Sequence, residues 1–217
     1  MATVTNRAHV LSEDEQARTL SMIGSRSRFP ARDKAIFALS HCAGLRVGEI
    51  AALNLSDVLE LGWDASPRFK LKVQATLTKT KGSKPRVIYL DSPLLGKALI
   101  QHLEERLRMG SRLQRKSDVP QPLFMTQKSN RFNTSTLCQL FQRLYGPSWA
   151  GIKNAKGHSG RRTYITNLAE QGYNLKAIAV LAGHSNIQTT AIYIDTNPLQ
   201  LKRMAASATS VKLERLL

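Results

Sequence analysis

One stretch of the sequence, residues 69–90, alternates apolar and polar residues, whereas the segments on both sides have apolar residues at helical spacing. The alternation from Phe69 to Leu77 is typical of a half-buried strand, and residues 87–90 form a second, short strand pattern. Four basic residues lie in the turn between them, residues 78–86. We therefore predict a mainly α protein of the α+β class, with one small antiparallel β-sheet whose hairpin has a cationic tip.

Helix start and stop signals divide the rest of the chain. Ser12 and Glu15 have the spacing of a capping box, which predicts a helix running to about Ile23. Pro30 opens a second helix, and Gly44 is expected to end it in the left-handed conformation. Further helices are predicted toward Leu55, at 93–108 and at 133–144, and three helical pieces follow residue 158, broken at Gly172 and Gly183.

The charge of the chain predicts a polyanionic partner. Lys and Arg outnumber Asp and Glu by 32 to 15, which gives a net charge of +17. Nucleic acid is the first expectation for such a chain. The basic residues are dispersed and do not form a block beside an apolar anchor, so the pattern does not favour a membrane surface.

The two cysteines and the N-terminus predict an intracellular, cytoplasmic protein in a reducing compartment. Cys42 and Cys138 lie far apart in helical patterns, where buried free thiols are expected. The first ten residues have no apolar region of a secretory signal.

The sequence favours neither a metal centre nor a cofactor. The cysteines are isolated, and His158 and His184 are 26 positions apart (184 − 158), which does not fit the ligand spacing of a zinc site. There is no phosphate-binding glycine loop, no G-x-S-x-G motif and no carboxylate cluster that would hold magnesium. We therefore predict chemistry without a metal.

Each remaining candidate also has an ordinary structural explanation. Arg46 could form a surface salt bridge with Glu49 at i+3, the histidines could be helix caps or core residues, and Tyr193 could be a core aromatic. Taken together, these side chains fit phosphoryl transfer. Paired guanidinium groups stabilise charge on phosphate oxygens, an imidazole accepts the proton of a phenol, and a tyrosine ester preserves the bond energy for rejoining.

Four motifs resemble the conserved boxes of the tyrosine recombinases, the phage-integrase family, in the family's order. AGLRVGEI at 43–50 is similar to the box of the first arginine, and residues 80–90 resemble the family's β-hairpin. His158-Ser159-Gly160-Arg161 is similar to the H-x-x-R box. LAGHSNIQTTAIY at 181–193 resembles the box that ends in the nucleophile, and it matches between the histidine and the tyrosine as well as at its ends.

The resemblance implies a role for each matching residue. Arg46 would bind the phosphate with support from Glu49, and Tyr193 would be the nucleophile. Arg161 and His184 would hold the transition-state charge, and His158 would help to move the tyrosyl proton. The general acid would be Lys81 at the hairpin tip, although Lys79 and Lys84 lie close enough that spacing does not decide among the three.

The resemblance also implies a domain organisation and an assembly. A flexible leader (1–10) would precede a tyrosine-recombinase catalytic domain (11–197), and a tail helix (198–217) would dock on a neighbouring protomer. Many relatives have a further N-terminal domain that clamps DNA, so the chain is either a naturally short recombinase or a fragment. We expect a homo-tetramer on two double-stranded DNA sites, of bacterial or phage origin and nucleoid-associated, that needs no ATP.

Further basic residues, besides those assigned to catalysis, are expected to bind DNA phosphates. These are Lys79, Lys84, Arg86, Lys153, Lys156 and Arg162, with the stretch 106–116 as a further candidate. Arg162 and Tyr164 stand where many relatives carry a histidine and another aromatic residue. Two other functions remain open: a type IB topoisomerase, which rejoins the original strand, and a catalytically silent DNA-binding accessory protein.

Overall fold

The computed structural model describes residues 7–60, 70–78, 85–109 and 120–192. Nine helices and one two-stranded sheet lie within these ranges, which confirms the α+β class. None of the described helices is long and apolar enough to cross a membrane. The elements are α1 (Glu13–Arg26), α2 (Pro30–Cys42), α3 (Val47–Ala52), α4 (Leu55–Val58), β1 (Gln74–Leu77), β2 (Arg86–Tyr89), α5 (Pro93–Arg108), α6 (Thr134–Tyr145), α7 (Ser159–Glu170), α8 (Leu175–Ala182) and α9 (Gln188–Ala191).

Local sequence signals set several helix ends as predicted. The Ser12 hydroxyl accepts a hydrogen bond from the Glu15 backbone N–H, and the Glu15 carboxylate accepts one from the Ser12 N–H, so the capping box is confirmed. Helix α1 continues to Arg26, one turn beyond the predicted end. Gly44 directly follows Ala43, the C-cap of α2, and has φ +60°. The predicted left-handed conformation is therefore confirmed.

The predicted hairpin is confirmed in its two strands. β1 and β2 pair antiparallel, with Gln74 opposite Tyr89 and Leu77 opposite Arg86. The first strand is shorter than the sequence pattern, because Leu71 pairs only through an isolated bridge with Leu59. The hairpin tip, residues 79–84, lies outside the described residues.

Helix α2 is the centre of the core. Its residues 35–41 are all buried, and the helix packs against α1, α5 and α7. Because the helix is covered on several sides, its polar residues Arg32, Asp33, Ser40 and His41 are buried together with its apolar ones. Its C-terminal end therefore lies in the interior. There the Gly44 backbone contacts α7, the helix that carries the H-x-x-R motif.

Residues on both sides of the leader boundary predicted after position 10 contact the rest of the domain. Leu11 is 2% exposed, and its N–H donates to the Thr163 hydroxyl at 2.9 Å. The Arg162 guanidinium donates to the Ala8 carbonyl at 2.7 Å. Burial of Leu11 is a tertiary contact with α7, so the sequence before α1 did not indicate it. Residues 1–6 and 193–217, which include the predicted tail helix 198–217, lie outside the described residues.

Both cysteines are unpaired, as predicted, but neither is fully buried. Cys42 and Cys138 are half-buried and form no disulfide. Burial raises the pKa of the Cys42 thiol, although a hydrogen bond with Ser92 opposes the shift. The thiol form is therefore favoured at neutral pH, as expected of a structural cysteine.

Two buried histidines couple the stability of the fold to pH. Burial lowers the pKa of His41 from 6.5 to about 4, against the opposing effect of its hydrogen bond to the Phe37 carbonyl. Burial likewise lowers the pKa of His102 to about 4, and the charges of Arg106 and Arg32 act in the same direction. Both imidazoles are therefore neutral in the folded protein near neutral pH.

We predict that the free energy of unfolding decreases as the pH falls from 6.5 to about 4. In this window the unfolded chain binds more protons than the folded one, because its histidines titrate with their ordinary pKa. Each fully buried histidine contributes on the order of 3 kcal/mol to this loss. Urea denaturation at a series of pH values measures it. His102→Leu should flatten the dependence, and an equally steep profile for parent and variant would contradict the assignment.

Candidate active site

A buried carboxylate, that of Glu49, lies between two guanidinium groups. Arg46 Nη1 donates to Glu49 Oε1 at 2.9 Å. Arg86 donates through Nη2 to Oε2 at 2.7 Å and through Nε to Oε1 at 3.2 Å. The Arg46 backbone N–H donates to the same carboxylate at 2.8 Å, so Glu49 also caps α3. Glu49 therefore fixes the orientation of both arginines.

The carboxylate of Glu49 is ionised despite its burial. Burial alone would raise its pKa, but the hydrogen bonds and charges of Arg86 and Arg46 outweigh that effect and lower the pKa below its usual range. A third guanidinium, that of Arg161, lies in the same region and is 4% exposed. Three positive groups and one negative group leave an excess of positive charge at the site, which suits an anionic substrate.

The three arginines converge on consecutive backbone carbonyls at the end of α8. Arg86 donates to the Leu181 carbonyl, Arg161 to the Ala182 carbonyl, and Arg46 to the Gly183 carbonyl at 3.2 Å. The last carbonyls of a helix have no partner within the helix and form the negative end of its dipole. This helix end therefore offsets the mutual repulsion of three closely placed cations.

Arg161 also connects α7 to the loop after α2 through a hydrogen bond. Its Nη1 donates to the Gly44 carbonyl at 2.7 Å. A single buried guanidinium therefore bridges the first-arginine motif and the end of α8. Gly44 is required here for two reasons: its φ is +60°, and a Cβ atom would lie 2.4 Å from the ring of Tyr164.

Gly183 lets the chain pass close to Arg86. Its φ is +63°, and a Cβ atom at this position would lie 2.4 Å from Arg86 Cδ. Any larger residue would displace the Arg86 side chain or the end of α8. The glycine of the fourth motif therefore has a steric explanation in this fold.

His184 is a half-buried, neutral imidazole beside the arginines. Burial, together with the positive charges of Arg161, Arg46 and Arg86, lowers its pKa from 6.5 to about 4. Its Nδ1 lies 2.7 Å from the hydroxyl of Thr190, which is fully buried on α9. When the hydroxyl donates to Nδ1, Nε2 carries the proton and His184 acts as a hydrogen-bond donor.

The site contains functional contacts that the sequence analysis did not assign. Thr190 orients the imidazole, and its only sequence signal was its place inside the fourth motif. Arg86 was expected to grip DNA phosphates at the surface, yet it is 9% exposed and paired with Glu49, so its position is that of a supporting residue.

The remaining predicted residues are placed in part or not at all. His158 is exposed at the start of α7, one turn before Arg161. Tyr193 directly follows Ile192, the last described residue, and therefore lies outside the description, as do the hairpin lysines Lys79, Lys81 and Lys84. Their catalytic roles stay predictions.

The predicted phosphate-gripping residues outside the boxes differ in exposure. Lys153 and Lys156 are exposed, whereas Arg162 is half-buried and bonded to the leader. Arg106 is 8% exposed and donates to the Pro122 and Leu123 carbonyls, so it stabilises the fold and does not reach the surface. Residues 110–119 lie outside the described residues.

We predict that Glu49→Gln lowers the free energy of unfolding by about 3 kcal/mol, because it leaves buried guanidinium charge without its counterion. Chemical denaturation measures the change. Glu104→Gln, on the exposed face of α5, is the matched control and should change stability little. Equal stabilities for the two variants would show that the Arg46–Glu49–Arg86 cluster does not hold the site together.

Comparison with known proteins gives one consistent family. The sequence model of the phage integrase family matches residues 9–200. The tyrosine recombinase XerD of Oceanobacillus iheyensis is 30% identical over 201 residues, which cover 91% of this chain and 61% of that protein. The tyrosine recombinase XerC of Chlamydia pneumoniae is 30% identical over 79% of this chain and 49% of its own length. The chain thus spans about half to three fifths of these relatives.

Solved structures share the fold. The crystal structure of XerA recombinase superposes with a TM-score of 0.68 and 28% identity, over 93% of this chain and 65% of that one. The Tn1549 transposon integrase, solved in complex with transposon right end DNA, superposes with a TM-score of 0.66 over 96% of this chain and 68% of its own, at 21% identity. The second likeness concerns the fold alone.

Proposed function

The chain belongs to the phage integrase family of tyrosine recombinases, and on this premise we propose that it cuts and rejoins DNA at specific sites through a 3′-phosphotyrosyl intermediate. The observation that carries the proposal is the convergence of Arg46, Arg86 and Arg161 on the end of α8, beside the neutral imidazole of His184. Such a cluster suits a phosphate with developing negative charge.

The proposed reaction exchanges one phosphoester for another. The Tyr193 hydroxyl attacks the scissile phosphorus, with His158 accepting its proton. The bond to the 5′-oxygen then breaks, and a hairpin lysine, Lys81 or one of its neighbours, protonates the leaving oxygen. The products are a 3′-phosphotyrosyl bond and a free 5′-hydroxyl. Because the ester preserves the bond energy, attack by a 5′-hydroxyl of the partner strand rejoins DNA without ATP.

Charge stabilisation is assigned to the arginines and His184. Arg46 and Arg161 would bind the non-bridging oxygens, and Arg86 would keep Glu49 ionised and in place. His184 stays neutral at physiological pH, so it contributes a directed hydrogen bond from Nε2 and no charge. This division of roles needs no metal ion for the charge on phosphorus.

Double-stranded DNA is the proposed partner, and a homo-tetramer on two sites is the proposed assembly. The net charge of +17 and the DNA bound in the Tn1549 integrase structure support the partner. The tail, residues 198–217, would dock on a neighbouring protomer. We propose a cytoplasmic, nucleoid-associated enzyme, in keeping with its bacterial relatives.

The test is covalent attachment to DNA in EDTA. Labelled duplexes that carry the DNA flanking the gene, each with a nick near the candidate cut, are incubated with the protein and separated by denaturing electrophoresis. The proposal predicts a DNA–protein adduct and recombinant product. Supercoil relaxation by a monomer without recombinant product would favour the topoisomerase alternative, and the lack of any adduct would favour the silent accessory protein.

A further inference from the structure

A well-ordered turn, which we call the reading turn (residues 126–130), lies between α5 and α6. Met125 and Arg131 pair across its base, and the Thr126 N–H donates to the Asn130 carbonyl at 2.8 Å. The Ser129 N–H donates to the Thr126 carbonyl at 3.0 Å. Gln127, Lys128 and Asn130 are all exposed. The turn therefore presents two amides and an ammonium group to solvent from a fixed backbone.

Both ends of the reading turn are anchored to elements of the active site. Arg131 Nη1 donates to the carbonyls of residues 51, 52 and 53, at 3.1 to 3.3 Å, and Nη2 donates to Asn54 Oδ1. These groups lie at the end of α3, the short helix that begins directly after Arg46. Arg32, on α2, donates to the Met125 carbonyl at 3.1 Å. The turn is thus held in a fixed position relative to the arginine cluster.

Three cavities lie beside the reading turn; Glu105 lines one of them, and the other two have no acidic residue in their described lining. One of these two has a volume of about 440 Å³ and lies between the α1–α2 connection, the turn and α6. The other, about 520 Å³, lies between the turn and the start of α6. None of the described residues lining these two cavities is acidic, whereas six are basic: Arg26, Arg28, Arg32, Lys128, Arg131 and Arg143.

We propose that the reading turn contacts base edges in the DNA major groove, while the neighbouring arginines grip phosphates and so determine which sequence is cut. Amide side chains such as Gln127 and Asn130 pair with adenine edges through two hydrogen bonds, and a lysine pairs with guanine. The major groove is about 12 Å wide and admits a two-stranded ribbon, so it also has room for a single tight turn. The inference rests on the proposed function, because the distance along the DNA between the contacted bases and the cut is counted from Arg46, which is assumed to bind the cut phosphate.

The anchoring predicts where along the DNA the contacted bases lie. α3 has six residues, so it spans about 9 Å at 1.5 Å per residue. The exposed end of the turn is a few residues beyond its anchored base, so the proposal expects it at about 10 to 20 Å from Arg46. At about 3.4 Å per base pair, the turn reaches bases roughly three to six pairs from the cut.

The test is selection from random duplexes, scored by binding alone. The protein is used with Tyr193→Phe as background, so that bound DNA is not cut, and sequences bound in gel shifts are determined. Gln127→Ala with Asn130→Ala should lose the preference at two or three adjacent positions and bind the best sequence about 10-fold or more weakly. Lys97→Ala with Gln101→Ala, which removes exposed residues of similar type from α5, should select the parent sequence.

Selection of an unchanged sequence by the turn variant would overturn the proposal. The cut position is mapped with the parent protein on the selected duplex, and lost positions more than about one helical turn away would also contradict the proposal. Failure of the parent to form any adduct would count against the recombinase reaction only, since the binding preference is measured without cutting.

A second pair of variants tests the phosphate contacts. Arg28→Ala with Arg143→Ala removes two exposed guanidinium groups from the larger cavity. Affinity for all sequences should fall together, and the slope of log affinity against log salt should decrease by about one for each lost contact. A changed sequence preference with an unchanged salt slope would contradict this assignment.

Discussion

Tyr193→Phe is expected to abolish covalent attachment to DNA and to leave DNA affinity within about twofold. The phenyl ring keeps the size and apolar contacts of tyrosine but has no nucleophile, so no phosphoester forms. Denaturing electrophoresis of the protein with a nicked duplex measures attachment, and a gel shift measures affinity. The loss should be complete, because no other hydroxyl in the proposed mechanism replaces the attacking oxygen.

Tyr173→Phe is the matched control for this variant. Tyr173 is 59% exposed beyond the end of α7, and its loss should leave the adduct unchanged. Adduct formation by Tyr193→Phe at the parent's rate would mean that a different side chain attacks the phosphate.

Arg161→Lys is expected to slow adduct formation by about 10³-fold. The guanidinium donates in two directions, to the Gly44 carbonyl and to the Ala182 carbonyl, and so holds the first-arginine loop against the end of α8. A lysine keeps the positive charge but presents a single ammonium point, which cannot reproduce the planar fork that binds a phosphate. Single-turnover cleavage of a nicked duplex measures the rate.

Arg18→Lys, on the exposed face of α1, controls for the exchange of residue type and should leave the rate unchanged. Chemical denaturation separates loss of fold from loss of catalysis, since an intact fold with a 10³-fold slower rate is the expected combination. A rate for Arg161→Lys within about tenfold of the parent would exclude a direct role in charge stabilisation.

Signals local in sequence predicted the elements and part of the site. The capping box at Ser12 and the prolines at helix starts depend on residues within one turn, and the spacing of Arg46 and Glu49 places them on one side of α3. For these residues the spacing in the sequence largely determines the contact in the folded protein, so the contact can be predicted.

Contacts that join distant segments could not be predicted in this way. Arg86 lies 37 positions from Glu49, and its burial depends on the approach of β2 to α3 and α8. The arginines bind the backbone carbonyls of residues 181–183, and a backbone carbonyl cannot be recognised from the identity of a side chain. Burial of Leu11 against α7 depends on a separation of 152 residues. Charge alone therefore did not indicate that Arg86 and Arg106 are buried.

The most direct measurement is the identity of the amino acid that carries the DNA. The parent protein is trapped on a nicked duplex in EDTA, digested with trypsin and nuclease, and the nucleotide-bearing peptide is sequenced by mass spectrometry. We predict the peptide of residues 177–202, with the modification on Tyr193 through a 3′-phosphate. Attachment at another residue, or through a 5′-phosphate, would contradict the mechanism.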